Sequence, residues 1–167
     1  ELARIDKNVT TYLNENTLSL IEENKKLNQQ GTIDSVYNID LMDKMEFKDC
    51  GLDIRIHAAT VDINIASLNE GIRAESVRQM INCGIYAEKI NANTITVHPG
   101  IIGRNEPHLR KWALELAVES VGEIIDNTNV EISVENMPVR GKFLGNTVEE
   151  IEMIQEATGC SLTIDTG

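Results

Sequence analysis

Four short segments, Asp53 to His57, Thr94 to His98, Val130 to Glu135 and Leu162 to Asp165, alternate apolar with polar residues. Each finishes on a side chain able to ligate a metal. A period of two is the signature of a strand, with successive side chains on opposite faces. Ile, Val or Leu fills one face of each segment, and the terminal His57, His98, Glu135 or Asp165 belongs to the other. Four strands that end alike restrict the folds open to this chain.

The strands alternate with helical patterns. After His57 a polar loop runs from Thr60 to Asn69, and a helix is expected from about Ile72 to Ala92. After His98, Pro99 and Gly100 a second helix begins, capped by Asn105 or Glu106, with Pro107 in its first turn. Its expected apolar stripe is Leu109, Trp112, Ala113, Leu116, Ala117, Val121, Ile124 and Ile125. A third helix starts at a capping box of Thr147 and Glu150 and stops at Gly159. Towards the N-terminus, Thr17 to Gln30 reads as a helix with Gly31 as its stop, and a strand is expected near Val9 to Leu13. Residues 32 to 50 read equally well in several ways.

Repeated β-loop-α-β implies a parallel sheet with helices outside it. From His57 to His98 is 41 positions, from His98 to Glu135 is 37, and from Glu135 to Asp165 is 30. A (β/α)8 TIM barrel uses roughly 30 residues per unit. An open sheet covered by helices on both faces needs strands apolar on both. Here one face carries Asp53, Arg55, Thr94, Thr96, Glu131, Ser133 and Thr163, which suits a barrel lumen. Arg55 and Glu131 are a candidate ion pair across it. The fold class expected is therefore an α/β TIM barrel over residues 1 to 167 as a single domain. Five or six strands fall short of the roughly eight that close such a barrel, so an incomplete barrel with exposed sheet edges and a tendency to homo-oligomerise is expected.

Composition bounds the rest. With 41% hydrophobic and only 4% aromatic residues, the core must be aliphatic. No run of about 18 apolar residues suggests a membrane span. Cys50, Cys83 and Cys160 are odd in number and widely spaced, which reads as free thiols in a cytoplasmic protein, Cys83 within the core. A formal net charge of −12 disfavours a nucleic-acid partner, because duplex binding depends on Lys and Arg neutralising phosphates.

In a TIM barrel the active site lies at the carboxyl ends of the strands, where His57, His98, Glu135 and Asp165 all fall. Two imidazoles and two carboxylates suit a divalent transition metal: zinc first, with manganese or iron as alternatives. Glu135 and Asp165 are also the candidate catalytic carboxylates. Arg104, Asn136, Arg140 and Lys142 sit in loops at the same mouth and are candidate substrate-binding residues. His108 and the row Glu115, Glu119, Glu123 read as solvated helix positions.

Ile56-His57-Ala58, Thr96-Val97-His98-Pro99-Gly100, Val134-Glu135-Asn136-Met137-Pro138 with Leu144-Gly145, and Ile164-Asp165-Thr166-Gly167 resemble the xylose-isomerase-like barrels. That superfamily includes the endonuclease IV-type apurinic endonucleases. The resemblance implies that His57 and His98 bind one zinc, that Glu135 bridges, that Asp165 binds a second, and that further ligands follow Gly167. It implies one of two chemistries. A sugar or sugar-phosphate isomerase or epimerase is favoured, with a small sugar as partner. The alternative is an endonuclease acting on abasic DNA. Where the nuclease branch carries wedge residues that enter DNA, this chain has Thr60 and Val61, and the loop from Val61 to Ser67 is not basic. A barrel without catalysis is the third reading.

Overall fold

A computed structural model describes residues 31–36, as backbone, and residues 53–166. The helix expected over 17–30, the strand near 9–13, Cys50 and Gly167 lie outside them. Five strands form one parallel sheet in chain order: β1 (Gly31–Val36), β2 (Ile54–Ala58), β3 (Thr94–Val97), β4 (Glu131–Glu135) and β5 (Ser161–Thr163). Helix α1 (Glu70–Lys89) joins β2 to β3, α2 (Pro107–Asp126) joins β3 to β4, and α3 (Val148–Thr158) joins β4 to β5. This is the β/α succession of a TIM barrel. Gly31, expected to stop a helix, is the first residue of β1.

Local chemistry sets the helix boundaries. The Asn69 side chain accepts the Gly71 and Ile72 amides and so caps α1. Pro107 opens α2 behind Glu106, whose side chain makes no capping bond. Gly159 closes α3 in the left-handed conformation, at φ 71°. The capping box there is half formed. Thr147 Oγ1 accepts the Glu150 amide at 3.4 Å, but the Glu150 carboxylate turns away to Arg110 and Gly145.

The apolar strand faces meet the helices. One register row of the sheet is Ile56, Ile95 and Ile132, and a second sets Val97 beside Val134. All five are nearly inaccessible, and Val77, Met80, Val121, Ile124 and Ile154 cover them from α1, α2 and α3. Each such side chain contributes about 1.5–3 kcal/mol on burial. Cys83 and Cys160 are free thiols within this core, and burial pushes the Cys83 thiol up to about 12.

Two sequence expectations need correction. Trp112, expected on the buried stripe of α2, is 50% exposed. The buried arc is centred near Ala117, and at 3.6 residues per turn Trp112 falls about 140° away from it. The last strand, expected to run to Asp165, ends at Thr163. Leu162 and Ile164, expected on an apolar face, are 41% and 66% exposed, because β5 has only β4 beside it among the described residues.

The polar face is cross-linked as a lumen would be. Thr94 Oγ1 donates to Glu131 at 2.9 Å, and the Thr163 hydroxyl meets those of Thr96 at 3.0 Å and Ser133 at 2.7 Å. Arg55 shares a register row with Thr94 and Glu131. The Glu131 carboxyl is held below its usual range first by hydrogen bonds from Ser161 and Thr94, and only lastly by the charge of Arg55. No helix of the described residues is long and apolar enough to cross a membrane.

Candidate metal centre

Parallel strands carry their carboxyl ends to one rim, and the loops that follow begin there. His57 is the fourth residue of β2, Glu135 the last of β4, and His98 follows β3 directly. Because all three lie on the polar face, their side chains converge. His57 Nε2 lies 2.9 Å from Glu135 Oε2, and His98 Nε2 lies 3.1 Å from the same oxygen. The two rings meet edge to face with centroids 5.0 Å apart. One ligand atom from each residue lies within 4.8 Å of the others, and this is the sole such group among the described residues.

The donor set fits a divalent transition metal. Zinc bonds of about 2.0–2.1 Å set tetrahedral ligand atoms about 3.3 Å apart, close to the separations seen here. Nδ1 of His57 lies 2.9 Å from the Ala58 carbonyl. That contact holds a proton on Nδ1 and leaves Nε2 as the ligating nitrogen. The side chains are 20%, 28% and 13% exposed for His57, His98 and Glu135, so the cluster is part-buried yet reachable from solvent. Burial raises the Glu135 carboxyl, but hydrogen bonds from His57 and His98 and their charge outweigh it and hold the group at about 2. Glu135 is therefore an anion throughout the neutral range.

Asp165 stands outside the three-residue cluster. Its amide donates to Asn136 Oδ1 at 2.7 Å, and Asn136 Nδ2 donates back to its carbonyl at 3.0 Å. Asn136 thus ties the end of β4 to the segment after β5. The cations of the mouth differ in placement. Arg104 is 82% exposed, 4.0 Å from Glu106. Arg140 is exposed on the loop after β4. Lys142 lines a pocket of about 120 Å3 with Thr60, His98, Met137 and Phe143, its Nζ 5.7 Å from the Phe143 ring centre. His108 is 73% exposed beside Glu106, and Glu115, Glu119 and Glu123 face water.

Three supporting residues carry no clear mark in the sequence. Asn64 Oδ1 accepts the Ala66 and Ile101 amides while its Nδ2 donates to the Ile101 carbonyl, which pins the loop after β2 to the loop after β3. Arg110 and Glu150 brace the loop after β4. The available signals are weak: an Asn among the other polar residues of a loop, and an Arg and a Glu forty positions apart.

Parallel β/α units with a His-His-Glu cluster at the strand ends define a TIM-barrel protein equipped to hold a divalent metal. The chain belongs to the xylose isomerase-like TIM barrel family, whose sequence profile matches residues 35–167. It is 32% identical over 114 residues to a probable endonuclease 4 of Acholeplasma laidlawii, a match covering 64% of this chain and 37% of that protein. Among solved structures, a D-tagatose 3-epimerase-like protein is 28% identical with a TM-score of 0.56, over 70% of this chain and 43% of the other. D-psicose 3-epimerase from Clostridium cellulolyticum H10, solved with D-tagatose, aligns at 16% identity with a TM-score of 0.72, over 95% of this chain and 60% of its own. The chain thus spans little more than a third of that curated relative.

Proposed function

We propose that this site isomerises or epimerises a small keto-sugar or sugar phosphate with a divalent metal held by His57, His98 and Glu135, and with Asp165 as a further ligand. Zinc is the first candidate, manganese or iron the alternatives. A metal so placed acts as a Lewis acid on a substrate carbonyl and its neighbouring hydroxyl, which makes the intervening C–H more acidic. The chain's own groups do the rest. The Ala58 carbonyl orients His57, and Asn136 fixes the backbone of Asp165. Lys142 meets the substrate in the pocket beside His98, with Arg104 and Arg140 as further candidate contacts for an anionic group. The carbon-bound proton moves to a carboxylate other than the ligands.

The observation that carries this reading is the pocket against His98. It brings Thr60, His98 and Lys142 together, a polar lining suited to hydroxyl groups and an anionic substituent. The loop from Ala59 to Asn69 beside it contains Asp62 and neither Lys nor Arg, a poor surface for a phosphate backbone. The likeness to a D-tagatose 3-epimerase-like protein points the same way. A second reading, hydrolysis of abasic DNA, is favoured by the 32% identity to a probable endonuclease 4.

One experiment separates them. Metal-loaded full-length protein is incubated with keto-sugars and their phosphates in deuterated water, and in parallel with an abasic-site duplex, each with and without chelator. The expected result is chelator-sensitive deuterium uptake at a carbon beside the carbonyl and an intact duplex. Duplex cleavage without sugar exchange would install the nuclease reading, and neither activity would leave a binding barrel.

A further inference from the structure

The loop between β4 and α3 is gripped from two sides. On the inner side it runs beside the segment that follows His98. Ile102 N–H donates to the Lys142 carbonyl at 2.8 Å, Leu144 N–H donates to the Gly100 carbonyl at 3.0 Å, and Ile101 bridges Phe143. On the outer side stand Arg110 of α2 and Glu150 of α3, 18% and 11% exposed. They are joined through two guanidinium nitrogens and both carboxylate oxygens, Nε to Oε1 at 2.5 Å and Nη2 to Oε2 at 2.7 Å.

A pair serving only to join two helices would need nothing more. Here, apart from one long Arg110 contact to Asn105, the remaining bonds reach the loop. Arg110 donates to the carbonyls of Gly141 at 3.1 Å and Phe143 at 2.8 Å and to Asn146 Oδ1 at 2.8 Å. Glu150 Oε2 accepts the Gly145 amide at 2.8 Å. The flat guanidinium fork presents several donors in fixed directions, which an ammonium cannot copy. The loop so held carries Lys142 and Phe143 into the pocket that His98 lines.

We propose that Arg110 and Glu150 are positioning residues of the site. Together they set where Lys142 and Phe143 stand relative to His98, and so govern substrate affinity without touching substrate or metal. This rests on the reading of the pocket as the place where a small sugar binds. Lys142 and Phe143 bind rather than react, so loosening the loop that carries them removes binding shared by ground and transition states and raises KM while sparing kcat.

The test uses metal-loaded full-length protein and the variants Arg110→Lys and Glu150→Gln, each retaining polarity and approximate size. Backbone amide exchange, metal content and sugar kinetics are measured for all three proteins. The expected result is exchange about tenfold faster within residues 140–146 only, unchanged metal content, and a KM about tenfold higher with kcat nearly constant. Loop exchange as slow as wild type in both variants would overturn the proposal. So would acceleration spread evenly over the helices, which marks a purely structural pair. If Arg110→Lys fails to fold, Glu150→Gln decides alone. If wild type turns over no sugar, the functional reading fails, while the exchange pattern still decides whether the pair positions this loop.

Discussion

A histidine gives a metal its lone pair only from the nitrogen that carries no proton, so the Ala58 carbonyl beside Nδ1 determines what His57 can do at Nε2. Nε2 of both imidazoles faces a single Glu135 oxygen. Replacing Glu135 with Gln removes the negative charge from the centre of the cluster. We expect zinc affinity, measured by competition with a chromophoric chelator, to fall by more than the roughly 10–100-fold typical of losing an outer-shell partner. The same carboxylate gives a pH prediction. A carboxyl whose pKa falls on folding adds stability above its unfolded pKa and loses it as pH drops through the folded one. For Glu135 in metal-free protein that window runs from the ordinary 4.5 down to about 2. Urea midpoints should therefore fall more between about pH 5 and about pH 3 in wild type than in Glu135→Gln; equal slopes would show that the carboxylate is not held by the histidines. His57, His98 and Glu135 are legible in the sequence because period two places them on one face and the chain then turns. Arg110 and Glu150 are not, since their pairing depends on how α2 and α3 lie together, and no local spacing encodes that.

At the scale of elements, loops rather than strands shape the pocket. Gly145 has φ 68°, and a Cβ there would stand 2.7 Å from Pro99 Cγ, one residue beyond His98. Gly145→Ala should destabilise the protein by about 1–3 kcal/mol through left-handed strain, and by more if Pro99 cannot give way. Equilibrium urea unfolding measures this, and a variant as stable as wild type would mean that the contact relaxes freely. Helix α1 approaches the turn before β4 through Gly84, where a Cβ would collide with Thr128. Gly84→Ala should cost about 1–3 kcal/mol by overpacking, with part of the loss recovered when Thr128 is also reduced to Gly; simple additivity would contradict the contact. Helices and strands are legible where caps and periodicity agree, as at Asn69, Thr147 and Gly159. Trp112 misleads because it adjoins Ala113 in the sequence yet is turned about 100° from it around the helix, off the buried arc. The last strand looks too long in the sequence because alternation continues past Thr163, where sheet pairing stops.

For the molecule as a whole, strand-end intervals of 30 to 41 positions and a polar inner face are enough to indicate a TIM barrel from the sequence. The parallel sheet in chain order and the match to the xylose isomerase-like family agree with that expectation. The assembly of the mouth is not legible in the same way: three loops are linked through Asn64, the Ile101 and Phe143 bridge, and the Arg110 and Glu150 pair. Such links join residues far apart in the chain, and a fold-level pattern does not specify them. The family hosts more than one chemistry, so the barrel alone does not select a reaction. Any metal-dependent chemistry at this mouth requires that His57, His98 and Glu135 share a metal ion. Elemental analysis of the full-length protein, purified without chelators, beside a variant with all three residues replaced by Ala, tests that requirement most directly. A transition metal should be bound to wild type in stoichiometric amount and lost from the triple variant. A wild-type protein that neither carries such a metal nor takes up zinc from a buffered solution, or a triple variant that binds it equally well, would contradict the shared site.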